Sequence, residues 1–90
     1  MPAYLVEYGM VDPDRTHPRM SEAIKKEYPY WRVLEYTWLV EASGPAARIY
    51  DHLEANIGPD DKLFVCLLDG DAALSDNFSD EGTAWLERIL

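Results

Sequence analysis

Apolar and polar positions along the first forty residues change period twice, and these changes mark out the elements. Residues 4–9, Tyr-Leu-Val-Glu-Tyr-Gly, alternate as a strand does. Tyr4, Val6 and Tyr8 fall on one face, and Leu5, Glu7 and Gly9 on the other. Because both faces are largely apolar, the strand is expected inside a sheet. Residues 10–18 hold Asp12, Pro13, Asp14, Thr16, His17 and Pro18 with no apolar period, which predicts a loop. From Arg19 to Tyr28 the period becomes helical, with Met20, Ala23, Ile24 and Tyr28 on one side, and Pro29 closes it. Residues 31–34 and 37–41 are aromatic and β-branched runs separated by Glu35 and Tyr36, which predicts a hairpin although no Asn-Gly or Gly-Gly pair is present.

The second half repeats the sequence of signals. Ser43 is a suitable N-cap and Pro45 suits a first helical turn. Ala46, Ile49, Tyr50, Leu53 and Ile57 form a stripe that stops at Gly58 and Pro59. Residues 62–68 form a strand with Leu63, Val65 and Leu67 on one face and Phe64, Cys66 and Leu68 on the other. Gly70 breaks it, residues 71–77 are a loop or short edge strand, and Trp85, Leu86, Ile89 and Leu90 lie on one side of a closing helix from about Asp80. The order strand, helix, strand, strand, helix, strand predicts an α+β fold. Its arrangement is the ferredoxin-like βαββαβ, a four-stranded antiparallel sheet with helices on one face, followed by a short strand or loop and a helix.

Length and charge narrow the reading. Ninety residues make a single domain, 1–90, with a thin core. An apolar sheet face left without helices costs about 25 cal/mol per Å² in contact with water. Tyr4, Val6, Tyr8, Trp38 and Val40 are therefore candidates for core or dimer contacts, and a homodimer is expected. The net charge is −9, and five of the eight basic residues (Arg15, Arg19, Lys25, Lys26 and Arg32) lie within the first 32 positions. A surface this acidic repels phosphate, which disfavours general nucleic-acid binding and leaves open only a local basic patch around the first helix. No run approaches the roughly 20 apolar residues of a membrane span, and no signal-peptide pattern opens the chain, so the expected compartment is the cytoplasm. The one cysteine, Cys66, reads as a small buried hydrophobe, far in sequence from either histidine.

Candidate chemistry is sparse. His17 and His52 have no metal-ligand spacing, the serines have no nucleophile-elbow context, and no glycine-rich phosphate loop occurs. Trp31, Trp38 and Trp85 read as core or dimer contacts before base-stacking platforms. His52, beside the second helical stripe, reads as a boundary residue.

The segments Tyr4-Leu5-Val6 with Tyr8-Gly9, Glu22-Ala23-Ile24-Lys25, Thr37-Trp38-Leu39-Val40, Asp51-His52-Leu53, Asp61-Lys62-Leu63-Phe64-Val65 and Trp85-Leu86 resemble the SinR-like relatives of the small CRISPR-associated nuclease of spacer acquisition. The resemblance spans nearly the whole chain. It implies a ferredoxin-like homodimer, often with strand exchange at the carboxyl end, in a superfamily of metal-dependent nucleases, structural bridges and toxin relatives. Its metal-binding aspartate follows a tyrosine at the end of the first strand. The corresponding pair here is Tyr8-Gly9, and glycine offers no oxygen to Mg²⁺ or Mn²⁺. Gly9 then reads as a bend or bulge at the strand end. The expectation is a non-catalytic homodimer with no cofactor, acting through a protein partner in a defence or toxin-antitoxin-like module. The alternative is a metal-dependent nuclease in which Glu7 and Asp12 replace the missing ligand. Whether residues 69–81 form a swapped strand, an acidic docking surface or a loop stays open.

Overall fold

The computed structural model describes residues 2–70, 72–75 and 77–89. Its elements run β1 (Ala3–Gly9), α1 (Pro13–Glu27), β2 (Tyr30–Leu34), β3 (Thr37–Glu41), α2 (Ala46–Glu54), β4 (Lys62–Leu68) and α3 (Asp80–Ile89). The four strands form one antiparallel sheet in the order β2-β3-β1-β4. This is the ferredoxin-like arrangement with an added carboxyl-terminal helix, and β1 lies centrally, as its two apolar faces predict.

Cross-strand register assigns the two faces. Tyr8 lies opposite Leu63, and Val6 lies opposite both Trp38 and Val65. Tyr4, Val6, Tyr8, Trp38 and Val40 are all buried and pack with Met20 and Ile24 of α1 and with Ile49 and Leu53 of α2. These five strand residues are core, closed off within a single chain. They are not the uncovered surplus from which a dimer was expected, because α1 and α2 cover them completely.

Helices were expected on one face only, yet α3 lies on the other. Trp31 of β2 stacks near Trp85 at 6.4 Å and meets Phe78 edge-on at 5.8 Å. Arg88 pairs with Glu41 at 3.3 Å. Gly82 makes this docking close: a Cβ there would stand 2.3 Å from the Trp31 indole. Leu39, Ala3 and Leu86 are buried as a result.

Several boundaries depart from the periodicity. α1 starts at Pro13, inside the stretch read as a loop, with Asp12 at the N-cap position and Pro13 at the start. Proline costs nothing there because its missing N–H would be unpaired anyway. The Asp12 carbonyl accepts from the backbone of Arg15 and Thr16 and from the Thr16 hydroxyl. The apolar period is absent from this turn because polar contacts hold it. Pro18 lies inside the helix, where it removes one backbone hydrogen bond. α2 has Pro45, not Ser43, at its N-cap and ends at Glu54, short of Ile57. Its last carbonyls are taken by a turn, with Asn56 N–H bonded to Leu53 and Ile57 N–H to Glu54. The hairpin turn at Glu35-Tyr36 contains no left-handed residue. The register slips between Arg32 and Leu34 instead, which absorbs the twist mismatch that a primed turn avoids. Asp71 and Asp76 of the segment 69–81 lie outside the described residues, and residues 72–75 form no strand. No described helix is long and apolar enough to cross a membrane.

Gly82→Val would force the Trp31 ring out of its seat. Urea unfolding should show a loss of about 1–3 kcal/mol, the usual cost of overpacking, with a change in tryptophan emission in the native baseline.

Candidate functional site

The end of β1 brings the sequence-derived candidates to one edge of the molecule, on two sides of the sheet. On the side partly covered by α3, one cross-strand row runs Leu34, Thr37, Glu7, Phe64. α3 stops short of this row. Leu34 and Phe64 are 59% and 58% exposed and flank Glu7 and Thr37. With Gly9, Lys62 and the Glu35-Tyr36 turn they line an open groove of about 760 Å³.

Glu7 accepts a 2.7 Å hydrogen bond from the Thr37 hydroxyl. Asp12 sits at the start of α1, and its side chain makes no capping bond. Among the described residues no three of His, Cys, Asp and Glu converge in a way that would hold a metal ion. Glu7 and Asp12 belong to no such group of three, and one oxygen of the Glu7 carboxylate, Oε2, is engaged by Thr37. Gly9 is neither bent nor left-handed. It pairs with Lys62 in the ladder, and the positive-φ glycines are Gly44 and Gly70. Nothing lies within 4 Å of a Cβ built at Gly9, so neither backbone nor packing demands glycine there.

Asp61, the residue before β4, is a tie between loops. Its carboxylate accepts from Val11 N–H at 2.8 Å and Gly58 N–H at 2.7 Å, and these two bonds hold its pKa below the ordinary range. Cys66 is half-buried on the edge strand and not enclosed, because β4 lacks an outer neighbour.

Behind the groove, on the helix side, lies a polar network that the periodicity did not reveal. The Trp38 indole N–H donates to the Tyr8 hydroxyl at 3.0 Å, and that hydroxyl is 3.0 Å from His17 Nδ1. Arg32 Nη2 approaches His17 Nε2 at 2.8 Å, and Arg32 Nε and Nη2 also donate to the Glu35 carbonyl. The imidazole packs against Tyr36 at 4.9 Å and Tyr8 at 5.7 Å. A guanidinium has donors and no acceptor. His17 Nε2 must therefore accept, which leaves the proton on Nδ1, directed at the Tyr8 oxygen.

Burial, and then the Arg32 charge, lower the His17 pKa below its usual 6.5. Burial raises that of the Tyr8 phenol, against the hydrogen bond from Trp38. A signal for His17 was present. Carried one turn back, the α1 stripe of Met20, Ser21 and Ile24 reaches position 17 at i−3, i−4 and i−7. The loop assignment hid it. His52 is an exposed boundary residue, with Nδ1 3.0 Å from the Tyr28 hydroxyl. No protein-family model, curated protein or solved structure matches this chain.

Two outcomes follow from this geometry. Gly9→Ala should change stability by no more than about 0.5 kcal/mol, as at other unconstrained surface positions, by chemical denaturation. For His17, the unfolded chain takes up a proton near 6.5 and the folded chain only at lower pH. The native-state advantage is therefore complete above 6.5 and is lost as pH falls through the window down to the folded pKa. Melting temperature against pH should show this decline, and His17→Gln should flatten it.

Proposed function

We propose that this chain is a non-catalytic homodimeric domain, similar to the spacer-acquisition nuclease in scaffold and acting through protein contact in a defence or toxin-antitoxin-like module. The observation that carries the reading is the state of β4. The strand Lys-Leu-Phe-Val-Cys-Leu-Leu is the outermost of the sheet, and none of its seven residues is buried. Phe64 and Leu67, on opposite faces, are 58% and 55% exposed. An apolar edge with free backbone donors and acceptors is a template for another strand unless it is guarded by proline, bulges or charge. The only charge within β4 is Lys62, at its start.

A second copy is the occupant that fits best. Antiparallel pairing about a two-fold axis through Val65 places Leu63 opposite Leu67 of the second copy and Phe64 opposite Cys66. Every apolar side chain from 63 to 67 then meets another, and both helix layers stay on the same side of the extended sheet. The engagement of Glu7 by Thr37 and the missing oxygen at Gly9 support the non-catalytic half of the reading.

Sedimentation equilibrium at about 10 μM should give twice the chain mass, and Leu67→Glu should return it to the single-chain mass with its circular dichroism intact, because Leu67 is not needed within one chain. A wild-type monomer at that concentration removes the dimer. Mg²⁺ or Mn²⁺ should leave the melting temperature unchanged. A positive shift, lost in Glu7→Gln, would instead favour the metal-dependent nuclease, since a ligand bound only by the native state raises apparent stability.

A further inference from the structure

The protein carries 17 acidic residues against eight basic ones, yet at the outer edge of β2 the balance reverses. Arg32 has no carboxylate within ion-pairing reach among the described residues, where the one ion pair is Arg88 with Glu41. Its Nε and Nη2 hydrogens are directed at the Glu35 carbonyl and at His17, and its plane lies 5.2 Å from the Trp38 ring centre. The Nη1 donors remain, on an exposed residue. Every element packed around His17 contributes to its surroundings. β1 supplies the Tyr8 phenol, β2 the Arg32 guanidinium, the hairpin turn Glu35 and Tyr36, and α1 itself Lys25. Among the charged groups acting on the imidazole, Arg32 and Lys25 are cations and Glu35 is the single acid.

Neutral His17 completes this arrangement by accepting from Arg32. A proton on Nε2 reverses that role. The nitrogen becomes a donor facing another donor, with two positive charges where one hydrogen bond stood at 2.8 Å. The contact must then open, unless an acceptor enters between the two groups. The acceptor best matched to two facing cations carries negative charge and presents oxygens in more than one direction. It must also reach a half-buried imidazole at the surface, and a tetrahedral oxyanion meets all three requirements.

We propose that His17 and Arg32 are the two arms of a proton-dependent binding site for a tetrahedral oxyanion, of the sulfate and phosphate class. In the empty site the arms close on each other. In the occupied site the ion accepts from protonated His17 Nε2 and from Arg32, while Tyr8 keeps the far side of the imidazole oriented through Nδ1. The site adjoins the groove over Gly9, sharing Tyr8, Glu35 and Tyr36 with it, lies apart from the β4 edge, and does not depend on the oligomeric state. The net charge of the protein opposes binding at long range, so occupancy is controlled by the local cations and by pH.

Sulfate is the suitable probe, because its charge stays constant from pH 5 to pH 8 and any pH dependence belongs to the protein. The His17 ring resonances of the intact chain are followed by NMR through a pH titration in sulfate and in chloride at equal ionic strength. His52, outside the cluster, reports the bulk effect of salt. The expected result is an upward displacement of the His17 titration in sulfate by about one pH unit, equivalent to roughly tenfold tighter binding by the protonated form, and its disappearance in Arg32→Gln. Coincident His17 curves in the two salts, a displacement matched by His52, or one that survives in Arg32→Gln would each overturn the proposal. The wild-type comparison alone decides it should the variant not fold.

Discussion

Two faces of a four-stranded sheet have to be kept from water here by three helices of 15, 9 and 10 residues. The distribution of that cover governs the rest of the molecule. α1 and α2 take one face, and the residues beneath them, from Tyr4 to Val40, are buried almost without exception. α3 takes the β2 and β3 half of the other face, held by Trp31 against Gly82 and by Arg88 on Glu41. The remainder, from the row of Leu34 and Phe64 out to the β4 edge, is left exposed or half-buried by the described residues. At about 25 cal/mol per Å², apolar surface left in this state costs free energy in contact with water.

The same shortage gives the end of β1 its character. Tyr8 turns toward the helices and becomes the buried acceptor around which Trp38 and His17 are fixed. Its neighbours in sequence, Glu7 and Gly9, turn toward the open groove. One strand end therefore serves a partly buried polar network on one side and an open groove on the other. On the groove side space remains at Gly9, and the Glu7 carboxylate on the same strand face accepts from Thr37.

Arg32 shows how a single side chain links these regions. It closes the hairpin by donating to the Glu35 carbonyl, lies against Trp38, and meets His17 on α1. The hairpin has no left-handed residue and so lacks the usual means of matching turn twist to strand twist. The slip in register beside Arg32 and the clamp that Arg32 makes on the turn take its place.

The order of elements, the central position of β1, the span of β4 and the inward face of each helix were all determined by the chain itself, since periods of 2 and 3.6 and the proline and glycine stops are local properties. The absence of an acid at position 9 was equally plain in the sequence. Only the tertiary structure decided that Pro13 begins a helix, that Asp61 joins two loops, that α3 turns back over the sheet, and that Tyr8, His17 and Arg32 meet. The last three depend on partners from nine to more than fifty residues away, and the first on polar bonds to the Asp12 carbonyl that carry no apolar period. A polar side chain gives no periodic signal of the partner it will find, whereas an apolar one must face the core whatever its neighbour is.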